Sequence, residues 1–196
     1  MQIKKGRDRI VFILPIIGIV IKIPIIHFLR VIEHHFSLFK SRNIYKKGTI
    51  KKIFFMYFEG DFEYRHCFKG AIFGGIHSNW LEYVFWRRTK NPFLKPTYFS
   101  LFGLINIQKY GAICTLKEVD LHCQLYEMTD GRVFDNGHHF CNPANYTLES
   151  DQLQMVDYGN SRVYRVIVRY GKKITTKFDP KYNWEEVKKK LEQEGL

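Results

Sequence analysis

The chain has no two cysteines at CxxC spacing. Its four thiols, Cys67, Cys114, Cys123 and Cys141, form no disulfide framework, and they read as reduced thiols in a cytoplasmic protein. No small-residue cleavage motif follows the apolar stretch near the N-terminus, which argues against a cleaved signal peptide. Internal repeats and low-complexity tracts are absent, which excludes solenoid and array architectures. No GxGxxG loop is present. Acids are scarce: 19 Asp and Glu stand against 31 Lys and Arg, a formal charge of +12. That balance favours an anionic partner, whether a nucleotide, a phosphorylated sugar or lipid, nucleic acid or an anionic membrane face. What the chain does have is 196 residues, 45% hydrophobic and 16% aromatic. That is enough for one domain with a core, and too apolar for a disordered tail.

The longest apolar run, Ile10 to Leu29 between Arg9 and Arg30, has the length and basic flanks of a membrane anchor. Pro15, Gly18 and Pro24 interrupt it, Lys22 sits inside it, and its apolar residues are mostly Ile and Val. β-branched residues favour strands, and Pro-Ile-Ile-Gly suits a turn. The favoured expectation is a buried hairpin, Arg9–Leu14 paired with Ile19–Ile23, with the anchor as alternative. Lys22 is then a cation in an apolar strand. Either its head reaches water past an apolar stem, or it is paired for a purpose.

Downstream, His27 to Lys40 has helical spacing of Phe28, Val31, Ile32, Phe36 and Phe39. Ser41 to Lys52 reads as a lysine-rich loop. Gly70 to Gly75 reads as a connection, with Asn79 capping a helix from Trp80 to Lys90 that carries Glu82. Thr97–Phe102 and Leu104–Gln108 read as antiparallel strands about Gly103. Thr115 to Met128 reads as a helix closed by Asp130-Gly131. Arg162–Tyr170 alternates Val163, Arg165, Ile167 and Arg169 and reads as a strand that turns at Gly171 and pairs with Ile174–Phe178. Trp184 to Gln193 reads as a terminal helix.

The sharpest signal is His138-His139-Phe140-Cys141-Asn142-Pro143-Ala144-Asn145, then a short apolar segment, then Asp157-Tyr158-Gly159. An Asn and an Asp joined by one β-hairpin supply the hard oxygen ligands a nucleotide-bound magnesium ion takes. With a lysine on an early strand and a glutamate on the following helix, the order resembles the protein-kinase-like fold, in a compact lipopolysaccharide-kinase-type branch. The resemblance implies an α+β, two-lobed fold. Residues 1–108 would form an antiparallel-sheet lobe with an insertion around 27–75, and 109–196 a reduced second lobe. It implies ATP and Mg2+ as cofactors. Asp157 and Asn145 would bind metal, Lys22 the phosphates, and Glu82 would orient Lys22. The connection from Gln108 through Lys109 and Tyr110 to Gly111 would border the adenine.

The departures lie in the chemistry. The family's catalytic Asp stands five residues before its Asn, and here that position is Phe140. Roughly sixty residues separate Lys22 from Glu82, far beyond an ordinary connection. The short stretch after Gly159 leaves no room for a peptide-substrate segment, so the implied acceptor is an anionic small molecule or a lipid-linked one. Either His138, His139 or Asp135 serves as base from a shifted position, or the protein is a pseudokinase acting as a binding module. A third reading rests on His77 and Glu82, which resemble the HX4D box of glycerolipid acyltransferases and would make this a membrane-associated acyltransferase. Lys46–Lys52 beside Phe54, Phe55 and Tyr57 is the best nucleic-acid candidate and ranks below the nucleotide reading. His122, Cys123, His138, His139 and Cys141 are the residues from which a zinc site would have to be built. The expected location is cytoplasmic, peripheral to or anchored in the inner membrane.

Overall fold

The computed structural model describes residues 1–27, 29, 32, 68–133 and 137–194. It is an α+β protein with an antiparallel five-stranded sheet. The elements are β1 (Gln2–Lys5), β2 (Arg9–Leu14), β3 (Ile19–Pro24), α1 (Phe68–Thr89), β4 (Thr97–Leu101), β5 (Ile105–Lys109), α2 (Glu118–Met128), the single turn α3 (Gly137–Phe140), β6 (Tyr146–Glu149), β7 (Gln152–Met155), α4 (Ser161–Lys177) and α5 (Trp184–Glu194). They form two compact units. The first comprises Met1–Trp80 with Tyr98–Ile107, the second Leu81–Thr97 with Gln108–Leu196.

In the first unit the strand order is β1-β2-β3-β5-β4. The apolar N-terminal run is the expected hairpin, with Arg9 opposite Pro24 and Val11 opposite Lys22. Pro15–Ile17 forms one tight turn that ends at Gly18, in the left-handed region at φ 69°, which glycine adopts without strain. No helix among the described residues is long and apolar enough to cross a membrane. The β2–β3 strands replace the anchor alternative, because Ile and Val satisfy their backbone in a ladder here.

Two expectations for α1 are corrected. Gly70 to Gly75 is helix, not a connection, and Asn79 lies inside α1 rather than capping it. Gly75 is a packing device: a Cβ there would meet the Asp8 carbonyl oxygen and Pro24. The helix and the β2–β3 hairpin therefore approach closely where a side chain would hold them apart. Within the expected helix from His27 to Lys40 only His27, Leu29 and Ile32 are described; Leu29 and Ile32 are helical and His27 is not. The lysine-rich loop and Lys46–Tyr57 lie outside the described residues.

The second unit holds the apolar core, built from Phe85, Phe93, Leu121, Leu125, Phe140, Tyr146, Val163, Ile167, Ile174 and their neighbours. A third correction falls here. Residues 161–177 are one helix, α4, not two strands. The buried positions are Val163, Val166, Ile167, Tyr170, Gly171 and Ile174, which recur at helical and not alternating spacing. The Phe85 ring stacks on Tyr164 with centroids 3.8 Å apart. Gly171 does not turn the chain. It lets Asn91 lie against the helix, where the amide nitrogen of Asn91 donates to the Ile167 carbonyl at 3.2 Å. α5 follows as expected and is tied to α2, since the Asp120 carboxylate accepts from the Trp184 N–H at 2.9 Å.

Candidate metal and nucleotide site

The Asn142–Gly159 stretch lies wholly in the second unit. Asn142 starts a tight turn over Pro143–Asn145, its side-chain oxygen accepting from the Ala144 N–H at 3.0 Å. Pro143 suits that first position because its fixed φ is already helical. β6 and β7 then form the expected antiparallel hairpin, with Tyr146 opposite Met155. One step beyond the ladder the Val156 N–H donates to the Asn145 carbonyl at 2.8 Å. The two residues expected to hold metal are thus brought to the same end of one hairpin: Asn145 enters it, and Asp157 leaves it beside the residue bonded to Asn145.

The amide of Asn145 is itself oriented. Its Nδ2 donates to the His139 carbonyl at 2.9 Å. A carbonyl can only accept, so the NH2 end must face it and the Oδ1 end must face away. That Oδ1 takes no hydrogen bond from the described residues. Asn145 and Asp157 are both half-buried. Two hard oxygen ligands suit Mg2+, which keeps several waters and takes the rest of its shell from phosphate oxygens. Among the described residues no three His, Cys, Asp or Glu side chains are grouped to hold a metal ion. Of the residues considered for zinc, Cys141 and His122 meet, with Sγ 2.7 Å from Nδ1.

The Asp157 backbone is steadied on both sides. Tyr158 is fully buried, and its hydroxyl donates to the Lys95 carbonyl at 2.7 Å and lies 2.7 Å from the Thr97 hydroxyl. Burial pushes this phenol far above its ordinary range, with the nearby Glu82 carboxylate adding to the effect. It therefore stays neutral and keeps its proton to donate. Gln108 is also buried, and its Nε2 faces the Lys95 and Val156 carbonyls and the Thr97 hydroxyl at 3.3–3.4 Å. The Gln108 side chain thus braces the strand that delivers Asp157. The Lys109 N–H is already used, donating to the Pro96 carbonyl at 2.8 Å.

Sequence reasoning missed Lys95. Its side chain is wholly buried, and its ammonium lies 2.7 Å from the Glu149 carboxylate, which is 40% exposed. The ammonium passes over Gly111, where a Cβ would collide with it. Its N–H donates to the Met155 carbonyl at 2.9 Å and its own carbonyl receives Tyr158 and Gln108. Lys95 is the hub of the β7–Asp157 support. The sequence signal was a lysine between Pro92-Phe93-Leu94 and Pro96, an apolar setting that an exposed lysine does not need.

The position that the resemblance gives to a catalytic base is closed. The Phe140 ring is fully buried in the core, and its carbonyl accepts from the Tyr146 hydroxyl at 3.0 Å. His139 is half-buried and offers its carbonyl to Asn145. His138 belongs to the α3 turn, and Asp135 lies outside the described residues.

The first unit has its own buried polar group. Lys22 on β3 is 5% exposed, so it does not reach into water past an apolar stem. The Asn79 amide, 0% exposed, donates to the Lys22 carbonyl at 3.3 Å and to the Gly103 carbonyl at 2.9 Å, and its oxygen accepts from Arg9 at 3.3 Å. Asn106 donates to the Asn79 carbonyl at 2.6 Å, and its own buried oxygen has no partner among the described residues. Lys22 belongs to the first unit and Glu82, also fully buried, to the second. The His77 of the acyltransferase-like box falls in the interior of α1 rather than on a loop.

Comparison of this chain with protein-family models, with curated proteins and with solved structures finds no match.

Proposed function

We propose that this protein is a kinase-like module that binds ATP with magnesium, Asp157 and Asn145 contributing the protein's metal ligands. The observation that carries the reading is the Asn145 amide, tied down by its nitrogen with its oxygen left over, at the same hairpin end as Asp157. A magnesium ligand needs an oxygen not already engaged, and Asn145 offers one among the described residues. In this reading the chain is a divergent two-lobed kinase-like fold, with Lys22 on the nucleotide phosphates and Glu82 as its orienting partner. Asn145, Asp157 and Lys22 bind and position, while the ion neutralises phosphate charge.

The burial of Phe140 favours binding without phosphoryl transfer. Its ring can accept no proton, and filling the core holds it in place. Transfer to a small or lipid-linked acceptor is the second reading, and it requires His138, His139 or Asp135 as base. ATP with magnesium at about a hundred times its dissociation constant should raise the melting temperature by about 5–10 °C. No phosphate should be released from ATP across the candidate acceptors. Turnover lost in Asp157→Ala would establish the second reading, and no ATP-dependent shift would sink both.

A further inference from the structure

The positive charge of the second unit is concentrated on one helix. That unit has 17 Lys and Arg against 14 Asp and Glu. Six of the 17 lie on α4, which has no acid, so the remainder of the unit has 11 against 14. The basic surface is a local feature of α4 and not a general excess.

On α4 the cations form a stripe. Arg162, Arg165, Arg169 and Lys172 are all exposed. They recur at steps of three and four, which sets them on one helix face. The apolar face of the same helix, with Val163, Val166, Ile167, Tyr170 and Ile174, is buried in the core, so the stripe is carried on a fixed rod. Among the described residues no carboxylate forms an ion pair with these four cations, and Asp130 is held by Lys173 at 3.3 Å. Helix stability does not account for the arrangement. α2 opens on Glu118 and Asp120 and α5 on Glu185 and Glu186, as the helix dipole favours. α4 has no acid in its first turn and carries Arg162 there, where the dipole opposes a cation.

Charge and spacing select the occupant. At about 1.5 Å per residue, Arg162 to Lys172 spans about 15 Å. Each strand of a duplex presents a phosphate about every 3.4 Å of axis, so about four lie within that span. Three of the four cations are Arg, whose guanidinium pairs with a phosphate through two N–H groups. An anionic bilayer fits less well. A helix that lies on a bilayer buries apolar side chains in it, and α4 has spent its own on the core, leaving Val168 as its exposed apolar side chain. Unpaired strands need aromatic faces on which to stack. Tyr170 is buried here, and the Tyr164 ring is stacked on Phe85. We propose that the Arg162, Arg165, Arg169 and Lys172 face of α4 docks on the phosphate backbone of a nucleic-acid duplex, without reading its sequence. The inference does not depend on ATP binding.

The test is fluorescence anisotropy of a short labelled DNA duplex titrated with the full chain over a range of salt concentrations. Binding that falls steeply with salt is expected, and an unlabelled duplex of unrelated sequence should compete equally. Arg162→Gln/Arg165→Gln/Lys172→Gln leaves the buried face of α4 intact. It should weaken binding at least about tenfold and lower the slope of log affinity against log salt by about 2–3. Lys188→Gln/Lys189→Gln/Lys190→Gln removes the same charge from exposed positions of α5 in the same unit, and it should bind like wild type. Wild type that ignores the duplex at low salt, or two triple variants equally impaired, would overturn the proposal. Tighter binding to the unpaired strand than to the duplex, or binding to phosphatidylglycerol vesicles in place of the duplex, would overturn it in favour of a single strand or a bilayer.

Discussion

Glu149→Ala tests whether Lys95 is the hub beside Asp157. The substitution removes the carboxylate 2.7 Å from an ammonium with no exposed surface. Breaking a fully buried pair costs about 3–5 kcal/mol, while an exposed pair is worth about 0–1. Here the cation is enclosed but its partner is 40% exposed, so water can reach part of the space the carboxylate leaves. We therefore expect a loss of about 2–3 kcal/mol, or about 4–12 °C in melting temperature for a chain of this size. Lys95→Met leaves only a water-accessible carboxylate and should destabilise less. In the double variant the effect of Glu149→Ala should shrink, which a thermal or urea unfolding cycle reads directly. A Glu149→Ala protein within about 0.5 kcal/mol of wild type, or a Lys95→Met protein less stable than it, would refute the reasoning.

Two further predictions follow from the same unit. The hydrogen bond from Lys95, together with its charge, holds the Glu149 carboxyl below the ordinary carboxylate range. This stabilisation is present in full above the unfolded value of about 4.3 and is lost as pH falls through the lower folded value. The stability gap between wild type and Glu149→Gln, followed by urea unfolding, should accordingly close on acidification below about pH 4 and stay constant above about pH 6. Separately, the Asn160 side chain accepts from the Arg162 and Val163 N–H groups at 2.8 and 3.3 Å and caps α4. Asn160→Ala should cost about 1 kcal/mol, with faster amide exchange confined to the first turn of α4; unchanged exchange there would remove the cap from the account.

Much of the scaffold was legible because local chemistry and tertiary packing agree. Ile and Val broken by Pro-Ile-Ile-Gly can form little but the β2–β3 hairpin, and the glycines at 18 and 103 do turn the chain. The β6–β7 hairpin between Asn145 and Asp157 was legible for the same reason. The errors arose where a residue's local meaning was overridden. Gly75 and Gly171 read as breaks because glycine usually ends an element, yet each is a contact point inside a helix. Residues 162–170 read as a strand because Val163, Arg165, Ile167 and Arg169 alternate, but Val166 and Tyr170 are buried as well, and only a helix puts those on the face of Val163 and Ile167. Asn79 has the chemistry of a cap and spends it on Lys22 and Gly103 instead. Lys95 was missed because its apolar setting hints at burial but not at the partner that makes burial possible, which lies 54 residues away.

The central claim is a metal-dependent nucleotide site built on Asn145 and Asp157. Isothermal titration of ATP, with and without magnesium, into wild type, Asn145→Ala and Asp157→Ala tests it most directly. The account predicts that magnesium strengthens ATP binding to wild type, that Asp157→Ala abolishes the gain, and that Asn145→Ala reduces it. ATP binding equal with and without magnesium, or a magnesium effect unchanged in Asp157→Ala, would contradict it.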